Sequence, residues 1–121
     1  MHNMVYLIGR LANDPEIKIL DDERSTLSIN LAVQRSFKNE EGLYETDFIR
    51  CILWNGIATH VSEYCHKGDL VGIKGRLQNR SYEKDDEKKY ITEVIADKVT
   101  FLSSKKSEEE ANNNDVNEVE E

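Results

Sequence analysis

Only two cysteines, Cys51 and Cys65, occur in the 121 residues, too few for a disulfide framework. The opening M-H-N-M-V-Y-L-I-G-R lacks the basic flank and long apolar run of a signal peptide. No window approaches the roughly 20 apolar residues of a membrane span. A soluble protein in a reducing, intracellular setting is therefore expected. Catalytic signatures are missing as well. There is no glycine-rich phosphate loop, no Ser-His-Asp context and no recognisable frame of paired catalytic carboxylates, so an enzyme is not expected. His60, Cys65 and His66 lack the C-x₂-C or H-x₃-H halves that close a tetrahedral site, which leaves no metal and no cofactor to expect. Internal repeats are absent. The length suits one domain, large enough for a core without disulfide staples.

Excess positive charge is also lacking: the formal net charge is −8. Taken whole, that argues against a polyanionic partner, but the acids are unevenly placed. Residues 103–121 hold seven acids against two lysines. In the body, acids gather in D-D-E (21–23), E-E (40–41) and D-D-E (85–87), all in expected turns. Two stretches, Arg24 to Asn39 and Leu70 to Tyr82, contain none. Local potential decides groove binding more than the total does. A basic surface is available.

What the chain does have is period-2 alternation. V-Y-L-I-G-R-L (5–11) reads as a strand, broken by Asn13-Asp14-Pro15, with extended structure resuming at E-I-K-I-L (16–20). In residues 26–37, Leu27, Ile29, Leu31 and Val33 share one face, and Thr26, Ser28, Asn30 and Ala32 the other. Residues 46–54 form the next strand. The period then changes: Ile57, Val61, Tyr64 and Cys65 mark one face of a short helix, with Lys67-Gly68 at its expected stop. Alternation returns in residues 69–82, with Val71, Ile73 and Leu77 inward, and a charged turn leads to a last strand over 89–102. Five strands with one short helix between the third and fourth predict an all-β OB-fold barrel. Gly9, Gly72 and Gly75 suit its coiling, and a reading as plain β-bulges accounts for them equally well. The domain is expected over residues 1–102, with a disordered acidic C-terminal tail over 103–121.

The 46–54 strand poses the functional question. Ile49, Cys51 and Leu53 make an ordinary core face, but Phe48, Arg50, Ile52 and Trp54 point the other way. A single ring on such a strand would read as core. An arginine set between two rings does not, because burying it unpaired is costly. The 69–82 strand repeats the mixture with Lys74, Arg76, Gln78, Arg80 and Tyr82 on one side, and Phe37 lies beside Arg35 and Lys38 at a strand end. Flat rings stack on exposed bases and cations meet phosphates, so this face selects single-stranded nucleic acid. A protein interface, where Trp, Tyr and Arg are enriched, is the alternative.

These segments also carry a family resemblance. V-Y-L-I-G-R-L-x-N-D-P-E, D-F-I-R-C-I-L-W, K-G-D-L-V-G-I-K-G-R-L-Q-N-R-S-Y and the late I-T-E-V together resemble the bacterial single-stranded-DNA-binding protein (SSB) family over residues 1 to about 102. The resemblance implies an OB-fold homotetramer, cytoplasmic and nucleoid-associated, that binds and protects single-stranded DNA in replication, recombination and repair without reading sequence. The family's base-stacking aromatics fall by motif on Phe37, Phe48, Trp54 and Tyr82. Phosphate contacts fall on Arg35, Arg50, Arg76 and Arg80, with Arg10 and Lys74 as lesser candidates. The chain departs from the family at L-D-D-E-R-S, where a Pro-Asn-Gly-type turn is usual. It also stops at N-E-V-E-E without the Pro-Phe tip of partner-recruiting members, which counts against recruitment of replication and repair enzymes through the tail.

Overall fold

A computed structural model describes residues 1–105. Its elements are β1 (Val5–Leu11), β2 (Lys18–Ile19), β3 (Ser25–Lys38), β4 (Tyr44–Trp54), α1 (Asn55–Tyr64), β5 (Leu70–Lys84) and β6 (Glu87–Ser103). The sheet order is β1-β5-β6-β4-β3-β2, and β1 also pairs with β3. That last pairing closes five long strands into a barrel, which removes the free edges a sheet of this length would otherwise expose. β2 is a two-residue addition to β3. β1 has the bounds read from the sequence, β2 is shorter than the 16–20 segment, and β3 to β6 each run one or two residues beyond the alternation at one end or both. β4 in particular starts at Tyr44, two residues before the predicted start. The acidic tail predicted for 103–121 lies outside the described residues from position 106 onward.

Alternation places the core as expected. Leu27, Ile29 and Leu31 from β3, Cys51 and Leu53 from β4, Val71 and Ile73 from β5, and Val94 from β6 are all fully buried. Ala58 and Val61 of α1 join the same cluster, so the helix plugs one end of the barrel. The thiols are free and buried; desolvation pushes that of Cys51 up to about 12, which makes it unreactive. Two glycines admit close backbone crossings. A Cβ at Gly9 would meet the carbonyl of Ala32, and one at Gly75 would collide with that of Ile95. At Gly75 the β5–β6 register also shifts, so the strand bends where the barrel gives way to a projecting hairpin.

Three sequence expectations need correction. Leu77 has inward parity but is exposed, because β5 has by then passed beyond the barrel and no core lies opposite. Tyr64 is likewise exposed, being the last residue of α1. Gly68 does not stop the helix. Cys65 ends it in extended conformation, while Gly68, at φ 92°, is the third residue of a separate turn. That turn is closed by Asp69 N–H donating to the His66 carbonyl (3.0 Å) and by the Asp69 carboxylate accepting from His66 N–H (2.8 Å). Its positive φ is what requires glycine.

Candidate nucleic-acid interface

The outer wall is assembled by strand register. Antiparallel pairing of β3 with β4 sets Thr26 opposite Trp54, Ser28 opposite Ile52, Asn30 opposite Arg50 and Ala32 opposite Phe48. On the other side, β4 runs parallel to β6 with Ile52 beside Ile95, and β6 pairs with β5 so that Ile95 faces Arg76 and Glu93 faces Gln78. Paired residues share a sheet face. The wall therefore runs across four strands, with small polar residues on β3, rings and an arginine on β4, Ile95 and Glu93 on β6, and a basic row on β5.

Phe48 stands clear of this wall, 68% exposed, and nothing in the core covers it. Trp54 is half-buried on the same side, and the guanidinium of Arg24 lies 5.2 Å over its ring. Arg24 is in turn paired with Asp22, whose carboxyl it holds below the usual range. Tyr82 lies on the projecting β5–β6 hairpin with Arg80 at 5.9 Å from its ring. A cation at these distances is attracted to the ring face. So the structure brings Phe48, Trp54 and Tyr82 onto one outer surface with Arg50, Arg76 and Arg80. Arg10 reaches it from β1: its row continues through Ala32 to Phe48, and its Nη1 donates to the Gly68 carbonyl at 2.9 Å.

One predicted residue, Arg35, faces away from this wall, and two others, Phe37 and Lys74, are separated from it by shifts in strand register. Arg35 shares its side of β3 with Val33, opposite the Phe48 side, and is clamped by Asp47 (3.0 and 3.1 Å) and Glu45. This pairing raises the Arg35 pKa, through the Asp47 hydrogen bonds first, and lowers that of Asp47. Phe37 is exposed but follows an irregularity in the β3–β4 register between Gln34 and Lys38, so alternation does not assign its face. Lys74 stands opposite Lys98 and Tyr6, before the bend at Gly75.

The sequence reading missed several residues of the surface. Glu93 is one of two buried charged side chains on the described chain, and its carboxylate accepts from Arg50 Nε (3.2 Å) and Arg80 Nε (2.9 Å). A lone acid in the apolar run I-T-E-V-I, with the parity of Ile91 and Ile95, was the available signal. Tyr44 is exposed on the Phe48 side of β4 with Lys38 5.7 Å from its ring; starting the strand at residue 46 hid it. Tyr90, covered by Lys88 at 5.6 Å, is exposed on the opposite face of the β5–β6 hairpin. Along the β3–β4 part of the wall, an open groove of about 720 Å³ is lined by Thr26, Ser28, Arg50 and Ile52, with Lys18 and Lys67 and the acids Asp14 and Glu16 also on its lining. Arg50 thus borders both the aromatic wall and this groove.

The chain is similar to known proteins in sequence and in fold. The chain is 44% identical over 112 residues to "Single-stranded DNA-binding protein B" of Bacillus subtilis, covering 92% of this chain and 99% of that one. It is 44% identical over 108 residues to "Single-stranded DNA-binding protein 3" of Listeria innocua, covering 88% and 68%. Among solved structures, a deletion mutant of the single-stranded DNA binding protein from Thermus aquaticus superposes with a TM-score of 0.72 at 32% identity. That match covers 86% of this chain and 52% of the other, so this chain spans about half the length of that protein. The model of the single-strand binding protein family matches residues 2–102, and with these relatives it shows that the chain belongs to that family.

Proposed function

We propose that the outer wall of the barrel binds single-stranded DNA without reading its sequence, as the names of the relatives say of those proteins. Bases stack on Phe48, Trp54 and Tyr82, with Phe37 added at the end of β3. Arg50, Arg76 and Arg80 meet phosphates, while Arg10 flanks the path. Arg35 and Lys74 are weaker contributors, since one is committed to two carboxylates and the other lies before the bend, on the barrel side of Gly75. The observation that carries this reading is an exposed Phe48 on the same side of β4 as Arg50, whose guanidinium shares Glu93 with that of Arg80, on a wall facing away from the core. An unpaired base has both faces open to such a ring; a duplex hides them. The domain is residues 1–102, it acts as a binding module rather than an enzyme, and its setting is the cytoplasm, where it protects DNA strands opened in replication, recombination and repair. Among the described residues no helix is long and apolar enough to cross a membrane.

Self-association into a homotetramer is part of the same proposal. Tyr6 and Ile8 point outward from β1 and are exposed, apolar area well suited to a second copy. Sedimentation should give the mass of four chains, and a monomer at micromolar concentration would reject the assembly. For DNA, Trp54 is the only tryptophan in the chain, so oligo(dT) titration reports on the wall directly. Quenching of its emission is expected, with Trp54→Ala weakening binding in a filter assay. Emission unmoved at low salt by every oligonucleotide would instead favour a protein-binding face.

A further inference from the structure

The centre of the wall is an acid, which is unexpected on a surface meant for phosphates. Glu93 is 4% exposed, on the outward side of β6, and both its oxygens are used. One accepts from Nε of Arg50 on β4; the other accepts from Nε of Arg80 on β5. The two arginine side chains remain 44% exposed each. Their terminal amino groups make no hydrogen bond to any described residue; each is tied through its inner Nε, and the Arg80 guanidinium also lies 5.9 Å from the Tyr82 ring.

We infer that Glu93 is a positioning residue: it holds two guanidiniums, from strands on either side of β6, with their amino edges turned out toward the DNA backbone. The inference rests on reading this wall as the DNA-binding surface. Its physical basis is the geometry of the guanidinium, a rigid planar fork. Once Nε–H is tied to a fixed carboxylate, the fork's orientation is restricted and its amino groups are left on the exposed part of the side chain. A free arginine would lose rotamer freedom on meeting a phosphate, and the tie removes part of that loss before binding. The acid subtracts one charge from the wall, so its field alone would weaken DNA binding. Burial between two arginines is what reconciles it with the site, because an unpaired buried carboxylate would be expensive.

Charge and orientation predict opposite outcomes, so they can be separated. Oligo(dT) affinity should be measured for E93Q in two backgrounds: the native chain, and R50K/R80K, which keeps both charges but lacks the Nε–H donors. If Glu93 orients the arginines, E93Q weakens binding by about three- to tenfold in the native background, within the rotamer cost of one or two side chains. It then tightens binding, or leaves it unchanged, in the lysine background. An equal change in both backgrounds, in either direction, overturns the proposal. The tie is also visible without DNA: the Nε–H resonances of Arg50 and Arg80 should be protected from exchange in the wild type, and at least one should lose protection in E93Q, whose amide offers one accepting oxygen in place of two, while the amide spectrum stays folded. Unchanged resonances would overturn it too. Failure of the wall itself looks different. In that case neither Phe48→Ala nor R50K/R80K would alter oligo(dT) binding, whatever the Nε signals do.

Discussion

The same four strands live in two environments. Inside the barrel, β3 alternates buried Leu27, Ile29 and Leu31 with polar residues, and β5 buries Val71 and Ile73. Farther along, β3 is exposed from Gln34 to Lys38, and β5 from Arg76 to Lys84. These stretches leave the barrel as two arms, the β3–β4 and β5–β6 hairpins. Alternation continues in the arms, but nothing lies opposite their inward side, so Leu77 and Tyr90 end up exposed. The comparison teaches that burial is decided by a partner across the barrel. Stability belongs to the closed part of the strands, and the aromatic and basic groups occupy the arms and the wall where they emerge.

That division can be broken from either side. The largest expected effect is in the barrel: Ile73→Ala removes a fully buried side chain and should lower unfolding free energy by about 2–5 kcal/mol in denaturant titration. Affinity of the folded protein for oligo(dT) should not follow; a parallel loss would mean that wall and core are not separable. Next is Phe48→Ala, expected to weaken oligo(dT) binding by about 1–3 kcal/mol. Its thermal midpoint should barely move, because the ring is mostly exposed. Strong destabilisation by this substitution would place the ring in the core after all.

Smaller effects sharpen the boundary. Deleting residues 106–121 removes seven acids and one lysine, and affinity at low salt should rise by a few-fold as acids stop competing with phosphate. The gain should vanish at high salt; no gain at any salt would show that these acids do not compete for the surface. The smallest effect concerns Arg35 and Asp47 on the β3–β4 arm. Arg35 holds the Asp47 carboxyl below its usual value, so the pair's contribution is present above the unfolded value near 3.9 and is lost as pH falls through the folded one. Wild type and Asp47→Asn should differ slightly in thermal midpoint at pH 7 and converge below about pH 3. A gap that persists in acid would assign the difference to packing.

Much of the architecture was legible in the chain. The core face of Ile49, Cys51 and Leu53, and the outward face of Phe48, Arg50 and Trp54, follow from a period of two and needed no coordinates. The short helix announced itself by a change of period at Ile57. Glu93 was not legible, because its two arginines are 43 and 13 residues away and meet it only across the β4–β6 and β5–β6 pairings. Arg35 was misleading for a related reason. Its motif context is basic, yet Glu45 and Asp47 reach it from the neighbouring strand.

By itself, then, the order of apolar and polar residues determined that strands form, which side of each is oily, and that rings and arginines share the other side. Those properties depend on near neighbours along the chain, spaced by the geometry of an extended backbone. Only the closed barrel decided where a strand's inward face meets a core, where it runs out into an arm, and which acid ties which arginine. Such outcomes depend on register between segments far apart in sequence, and a single strand's pattern holds no information about its partner's offset.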